Sequence, residues 1–220
     1  PLRVEGRAAL YSFGFLLRRA VSVLLDISAW EIRVGLRVTL NAGQIVGQVF
    51  LSDSLQNGAG YCSHFAQPAE LERLLRYVAD PSDSLREVLA VYHAGTCQTS
   101  CPDCLRDYAN LAWHCILDWR LAVDMARLAL DANAPVGLDT PHWQPLAASV
   151  TPPYFQALRW TASTFAGLPA SRSGPRGEFI VHPLWATNHP IAIQARNEAV
   201  TAGVARPESK TLFELVRKPF

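Results

Sequence analysis

Three cysteines lie close together in the stretch GTCQTSCPDC, residues 95–104, and their spacing strongly restricts how the chain can fold. Cys97, Cys101 and Cys104 follow the pattern C-x3-C-x2-C, which is typical of a zinc knuckle. A disulfide scaffold is typical of small secreted chains, and nothing in the sequence indicates secretion. A redox C-x-x-C pair would leave Cys97 without a role. The spacing therefore predicts a structural zinc site.

A helix is predicted to begin at these cysteines. Ser100 is a favourable N-cap, Pro102 is tolerated in a first turn, and Asp103 completes an S-x-x-D capping box. The helix is expected to run from about residue 101 to 130, with both cysteines of the C-x2-C pair on one face of its first turn. The positive end of the helix dipole would then lower the pKa of these thiols and favour metal binding.

A structural zinc site has four protein ligands, so the cluster lacks one. The candidates for this position are Cys62, His64, His93, His114 and Cys115. In a continuous helix Cys115 would lie about 16 Å beyond Cys104, whereas sulfur ligands of one zinc ion lie within about 4 Å of one another. This distance excludes Cys115 and His114. Cys62 is the predicted fourth ligand because it opens a separate helix, and His93 is the alternative.

Hydrophobic periodicity predicts a mixed α+β fold with a small central mixed sheet, flanking helices and a zinc-binding helix N-terminus. Residues 7–27 have the spacing of a buried helix, and residues 31–40 alternate as in a half-buried strand. Residues 44–53 complete an antiparallel hairpin, and their run Val49-Phe50-Leu51 indicates burial on both faces in the middle of a sheet. Residues 179–185 are expected to add a third strand to the same sheet.

The chain is predicted to change character near residue 135. Residues 1–135 contain the first helix, the hairpin and the four-cysteine zinc module, with a further helix that is interrupted at Pro68. Residues 136–220 are expected to form a loop-rich segment of the same domain, with a surface loop at 168–178, the third strand and a C-terminal helix.

Charge and missing motifs limit the function. The net charge is +1, so the chain has no general basic bias toward nucleic acid. The sequence contains no G-K-[ST], no H-E-x-x-H and no G-x-S-x-G, so neither an ATPase nor these hydrolase classes is expected. Arg33 and Arg37, on the polar face of the first strand, are the candidates for phosphate contact, with a solvated face as the alternative interpretation.

Two other functions are open from the residues alone. Asp53 follows a strand and precedes a glycine loop, so it could serve a metal-dependent nuclease together with Glu178 or Asp118. The favoured interpretation of Asp53 is an acceptor for loop amides. A protein–protein adaptor could instead use the apolar first helix and the aromatic segment 142–160.

Three segments resemble a known family: residues 49–65, residues 97–130 and residues 179–185, with "GAGYC" and "SCPDCLRDYxN" as the specific pieces. They are similar to the MZB domain, the zinc-binding domain of the mitomycin-repair-factor-A type. This domain occurs in superfamily-2 DEAD/DEAH-box helicases and in helicase-associated phage-defence proteins of the DISARM type. The resemblance implies zinc bound by Cys62, Cys97, Cys101 and Cys104.

The resemblance also implies the role of the chain. We expect an accessory domain of an ATP-dependent DNA helicase or phage-defence subunit, without catalytic activity of its own. Its expected partners are a helicase core, in cis or in trans, and DNA, with RNA as an open alternative. No run of about 18 uninterrupted apolar residues occurs, so a cytoplasmic location without a membrane partner is expected.

Overall fold

The structure is a computed structural model that describes residues 3–55, 58–79 and 97–218. The chain divides into two compact units, Pro1–Pro135 and Val136–Phe220. Helices accompany two small sheets, which confirms the mixed α+β class. The prediction of a single central sheet is wrong. Among the described residues the hairpin strands pair only with each other, and the predicted third strand belongs to a separate four-stranded sheet. That both units form one domain stays a prediction.

The first unit begins with helix α1, Val4–Leu25, and strands β1, Ile32–Asn41, and β2, Gln44–Asp53. The strands form the predicted antiparallel hairpin, whose turn places Ala42 and Gly43 at positive φ. One face of the hairpin packs on α1 at Gly14, where an added methyl group would lie 2.5 Å from Val34 Cγ1. No residue of β2 is fully buried, so the predicted burial of this strand on both faces is wrong.

The described part of the first unit also contains the helices α2, Tyr61–Phe65, α3, Pro68–Ala79, and α4, Trp119–Leu130. The predicted interruption at Pro68 is confirmed, because α3 starts at that residue. The prediction of one long helix from residue 101 to 130 is wrong. Residues 101–105 form a turn, and Tyr108–Trp113 is a short 3-10 helix.

Polar side chains explain why this helix is interrupted. Asp107 and Asn110 close a capping box at the start of the 3-10 helix. The buried Asp118 caps α4, where its carboxylate accepts a hydrogen bond of 3.1 Å from the Arg120 amide. Because these side chains satisfy backbone donors locally, the backbone turns twice before α4 begins.

The core of the first unit packs α1 against α3 and α4. Leu16, Leu74 and Trp119 are fully buried there, and Cys97 and Cys104 belong to the same apolar cluster. Helix α1 is long and apolar enough to cross a membrane, but 61% of its most apolar window is buried inside the protein. That burial is typical of the core helix of a globular protein.

The second unit consists of α5, Gln144–Leu158, β3, Thr161–Phe165, β4, Leu168–Ser173, β5, Arg176–Val181, α6, Pro190–Thr201, β6, Arg206–Thr211, and α7, Leu212–Arg217. Its sheet has the order β3-β4-β5-β6, antiparallel except for the parallel pair β5 and β6. The surface loop predicted at 168–178 is wrong, because these residues form β4 and the start of β5. The core between this sheet and α6 includes Phe179 and Ala195.

Candidate metal centre and arginine face

Three thiols meet in the first unit. The Sγ atom of Cys104 lies 4.0 Å from that of Cys97 and 3.7 Å from that of Cys101, and all three sulfurs lie within 4.8 Å of one another. Four sulfurs placed tetrahedrally at a Zn–S distance of about 2.3 Å would be about 3.8 Å apart. The three sulfurs therefore already have the spacing of one face of a zinc tetrahedron.

A tight turn holds the C-x2-C pair. The amides of Cys104, Leu105 and Arg106 all donate to the Cys101 carbonyl, at 3.0 to 3.2 Å. In return the Cys101 amide donates to Cys104 Sγ at 3.0 Å. Such an N–H···S contact stabilises negative charge on the sulfur, which favours the thiolate form that a metal binds.

The segment that carries Cys97 is fastened to the start of α4. The Trp119 indole nitrogen donates to the Cys97 carbonyl at 3.2 Å, and the Trp119 amide donates to Thr99 at 2.9 Å. The fully buried Arg120 donates to the Gln98 carbonyl at 2.5 Å. The carbonyls of residues 97, 98 and 99 thus all accept hydrogen bonds from the first two residues of α4. The start of α4 therefore orders the cysteine loop, although the cysteines are not part of that helix. The contacts of Trp119 and Arg120 with the cysteine loop were not predicted. The one sequence signal for them is an arginine next to a tryptophan within an otherwise apolar run.

The electrostatics of the cluster match a site that needs a cation. A hydrogen bond with Cys97 and burial raise the pKa of Cys104 far above its usual range. Burial and the neighbouring Cys104 raise the pKa of Cys101. A bound divalent cation reverses this preference, because it stabilises the thiolates directly. The predicted lowering of thiol pKa by a helix dipole is wrong, since no α-helix begins at Cys101.

The fourth ligand lies outside the three-sulfur group. Cys62 packs against the same apolar cluster as the three thiols, but its sulfur is not in the group within 4.8 Å. Its amide donates to Asp53, and burial together with that carboxylate raises the pKa of Cys62 to about 12. His93 lies outside the described residues. Cys62 therefore stays a prediction, as does its alternative.

His114 and Cys115 were excluded as ligands on the assumption of a continuous helix from residue 101, which the structure does not have. Both residues nevertheless lie outside the cysteine cluster. His114 Nε2 lies 2.7 Å from the Asn110 side-chain oxygen and 3.1 Å from the Asp107 carbonyl. Cys115 is exposed. Among the described residues, the metal-binding group consists of the three clustered cysteines.

The proposed catalytic carboxylates have structural contacts. Asp53 accepts hydrogen bonds from the Gly60 amide at 2.9 Å and the Cys62 amide at 3.0 Å, so it anchors the loop before α2. Burial opposes ionisation of Asp53, but these amides hold its pKa below the usual range. Asp118 is the cap of α4. In the second unit, both oxygens of Glu178 accept from the Tyr154 hydroxyl, at 3.0 and 3.1 Å.

Arg33 and Arg37 are exposed on β1, as predicted for its polar face. Within the described residues neither guanidinium forms an ion pair with a carboxylate, and Arg37 Nε donates to Gln48 Oε1 at 2.7 Å. The aromatic ring of Phe50 lies between them on the same face, because Phe50 pairs with Gly35. Their role in nucleic-acid binding stays a prediction.

Comparison with known proteins gives one family match. Residues 13–105 match the family model of the MZB domain, the MrfA Zn-binding domain. Druantia protein DruE of Escherichia coli (strain UMEA 4076-1) is 32% identical over 131 residues, which are 58% of this chain. The chain spans 6% of the length of that relative. No solved structure matches the chain.

The matched region contains the clustered cysteines and both candidates for the fourth ligand. It ends at residue 105, so residues 106–130 and 179–185, which carry part of the resemblance, lie outside it. The three thiols have the spacing and chemistry that zinc requires, and the family is a zinc-binding one. Zinc is therefore the cofactor of this region.

Proposed function

We propose, from the MZB identity of residues 13–105, that this chain is a zinc-stabilised accessory region of a helicase-associated antiviral defence protein. The likeness to Druantia protein DruE supports the defence association. The observation that carries the proposal is the three-thiol cluster, in which Cys97 and Cys104 are buried in the core of the unit and Cys101 is half-buried against it. Within this proposal the helicase core lies in cis or in trans.

Zinc has a structural role in this proposal. Cys97 and Cys104 are 5% and 2% exposed, so an ion between them would have little access to solvent or substrate. A fourth protein ligand, Cys62 or His93, closes the coordination shell and leaves no open position for catalysis. The ion then ties the cysteine loop to a second segment of the chain.

We propose that nucleic acid, in the first instance DNA, contacts the exposed face of the hairpin. Arg33 and Arg37 supply positive charge there without a carboxylate partner among the described residues. A guanidinium binds phosphate with parallel hydrogen bonds, which makes arginine suited to this contact. The zinc-stabilised unit would hold these side chains in place for the motor.

The test combines zinc content with salt-dependent DNA binding. The 220-residue chain should contain zinc, and its affinity for single-stranded DNA should fall as salt rises. Replacing both arginines with glutamine should make the salt dependence shallower by about 1.4 in the log–log slope, at about 0.7 per phosphate contact. Metal-free folded protein would contradict the zinc role, and absent DNA binding would contradict the nucleic-acid role.

A second candidate function, docking to the helicase core, is favoured by the other face of the hairpin. Val38, Leu40 and Ile45 are 61%, 73% and 52% exposed near its tip. Neighbouring exposed apolar side chains are typical of protein contact sites. Co-purification of the chain with a helicase core in the absence of nucleic acid, lost in Leu40→Asp, would support docking; unchanged co-purification of that variant would contradict it.

A further inference from the structure

The two faces of the hairpin have different chemistry. Val34 and Val49 lie on the face that packs against α1, where both approach Gly14. The pairing register places Arg33, Phe50 and Arg37 together on the opposite face. On that opposite face Arg33, Arg37 and Phe50 are all exposed.

Phe50 lies directly over Gly35. A methyl group on that glycine would lie 2.1 to 2.6 Å from the three outermost carbons of the ring. Only glycine leaves the space for the ring to rest on the backbone of the neighbouring strand. Phe50 is nevertheless 46% exposed, so the side chain rests on the neighbouring strand and still has a surface open to solvent.

The arginines flank this ring. At roughly 3.3 Å per residue along a strand, Arg33 and Arg37 are about 13 Å apart, with Gly35 midway between them. The hydrogen bond from Arg37 Nε to Gln48 orients its guanidinium and leaves the two terminal nitrogens as donors. The face thus has a supported aromatic surface with a cationic group on either side along the strand.

We propose that this face binds single-stranded DNA, with one unpaired base stacked on Phe50 and flanking phosphates bound by Arg33 and Arg37. This inference rests on the proposed nucleic-acid role and adds the form of DNA and the stacking residue. Base stacking on aromatic side chains between cationic groups is the general mode of sequence-tolerant single-strand binding. A duplex hides its base faces, so it could use the arginines but not the ring.

The experiment measures binding of the 220-residue chain to fluorescein-labelled oligothymidylate, to oligouridylate and to a DNA duplex by fluorescence anisotropy. Phe50→Leu keeps an apolar side chain over Gly35 but removes the aromatic surface, and Phe50→Trp retains stacking. Leu111→Ala shortens an exposed apolar residue outside the hairpin and is the matched control. Thermal unfolding of each variant shows whether the hairpin is intact.

Phe50→Leu should weaken binding to single-stranded DNA by about five- to 150-fold, while Phe50→Trp and Leu111→Ala stay within about threefold of the wild type. Duplex binding should be unaffected by Phe50→Leu. The inference is overturned if Phe50→Leu binds single strands like the wild type while the arginine variant loses affinity, a result that leaves the proposed function standing. Binding to oligouridylate at least tenfold tighter than to DNA would also overturn the inference. If the wild-type chain binds none of the three nucleic acids, both this inference and the proposed nucleic-acid role are overturned.

Discussion

Replacing Cys104 with serine should remove a large part of the stability of the first unit. A structural zinc site contributes about 10–16 kcal/mol, so an equal share for one of four ligands is about 2.5–4 kcal/mol. Cys104 is 2% exposed, and the shorter serine side chain would withdraw from the metal and from the Cys101 amide, whose hydrogen bond Sγ accepts at 3.0 Å. Whole domains are stable by only about 5–15 kcal/mol. Cys104→Ser should therefore yield protein that is protease-sensitive or insoluble.

The assay compares zinc content, limited proteolysis and denaturant unfolding of Cys104→Ser with those of Cys115→Ser. Cys115 is an exposed thiol outside the cluster, so its replacement changes one sulfur of the same chain without touching the site. The control should retain zinc and the wild-type unfolding midpoint. A Cys104→Ser protein that is soluble, metal-loaded and unfolds at the wild-type midpoint would refute the structural role of the cluster.

Three further perturbations test particular contacts. Gly35→Ala should destabilise the hairpin by about 1–3 kcal/mol, because its methyl group collides with the Phe50 ring. The loss of stability should be smaller when Phe50 is also replaced with alanine, and equal losses with and without the ring would contradict the contact. Burial raises the pKa of Glu178, so the native state holds this proton more tightly than the unfolded chain does. The unfolding free energy of the wild type should then fall relative to that of Glu178→Gln as the pH rises from about 4.5 through the raised pKa. A difference in unfolding free energy between the two proteins that stays constant over this pH range would contradict this. Asp53→Ala should lower stability by about 1–3 kcal/mol, because two loop amides lose their acceptor. Neither the wild type nor this variant should cleave DNA in the presence of Mg²⁺. Cleavage by the wild type that disappears in Asp53→Ala would favour the nuclease.

The zinc cluster could be predicted from the sequence because close cysteine spacing brings the thiols together almost regardless of the intervening backbone. The three clustered sulfurs confirm this local prediction. The prediction of one helix through these cysteines is wrong, because Asp107 caps a separate 3-10 helix and Asp118 caps α4. Helix propensity alone does not reveal which polar residue will act as a cap.

The hairpin could also be predicted, since strict alternation over residues 31–40 leaves few other structures. The four-stranded sheet could not. Its strands are only five or six residues long and contain proline, serine and glycine, which resemble turn residues. The parallel pairing of β5 with β6 depends on contacts across the intervening α6, which no local pattern encodes.

Burial of Phe50 was predicted from the apolar run around it, and this prediction is wrong. A run such as Val49-Phe50-Leu51 is typical of a strand that is covered on both faces. Here Val49 packs against α1 at Gly14, while Phe50 points to the opposite face and is 46% exposed. Which faces of a strand other elements cover is a tertiary property, and the residues of a single strand do not determine it.

X-ray absorption at the zinc edge of the purified chain would identify the atoms that bind the metal. The three-sulfur cluster predicts one zinc ion per chain with at least three sulfur neighbours at about 2.3 Å, and a fourth neighbour that is sulfur if Cys62 is the ligand or nitrogen if it is His93. A spectrum with only oxygen and nitrogen neighbours, or folded protein without zinc, would contradict the account.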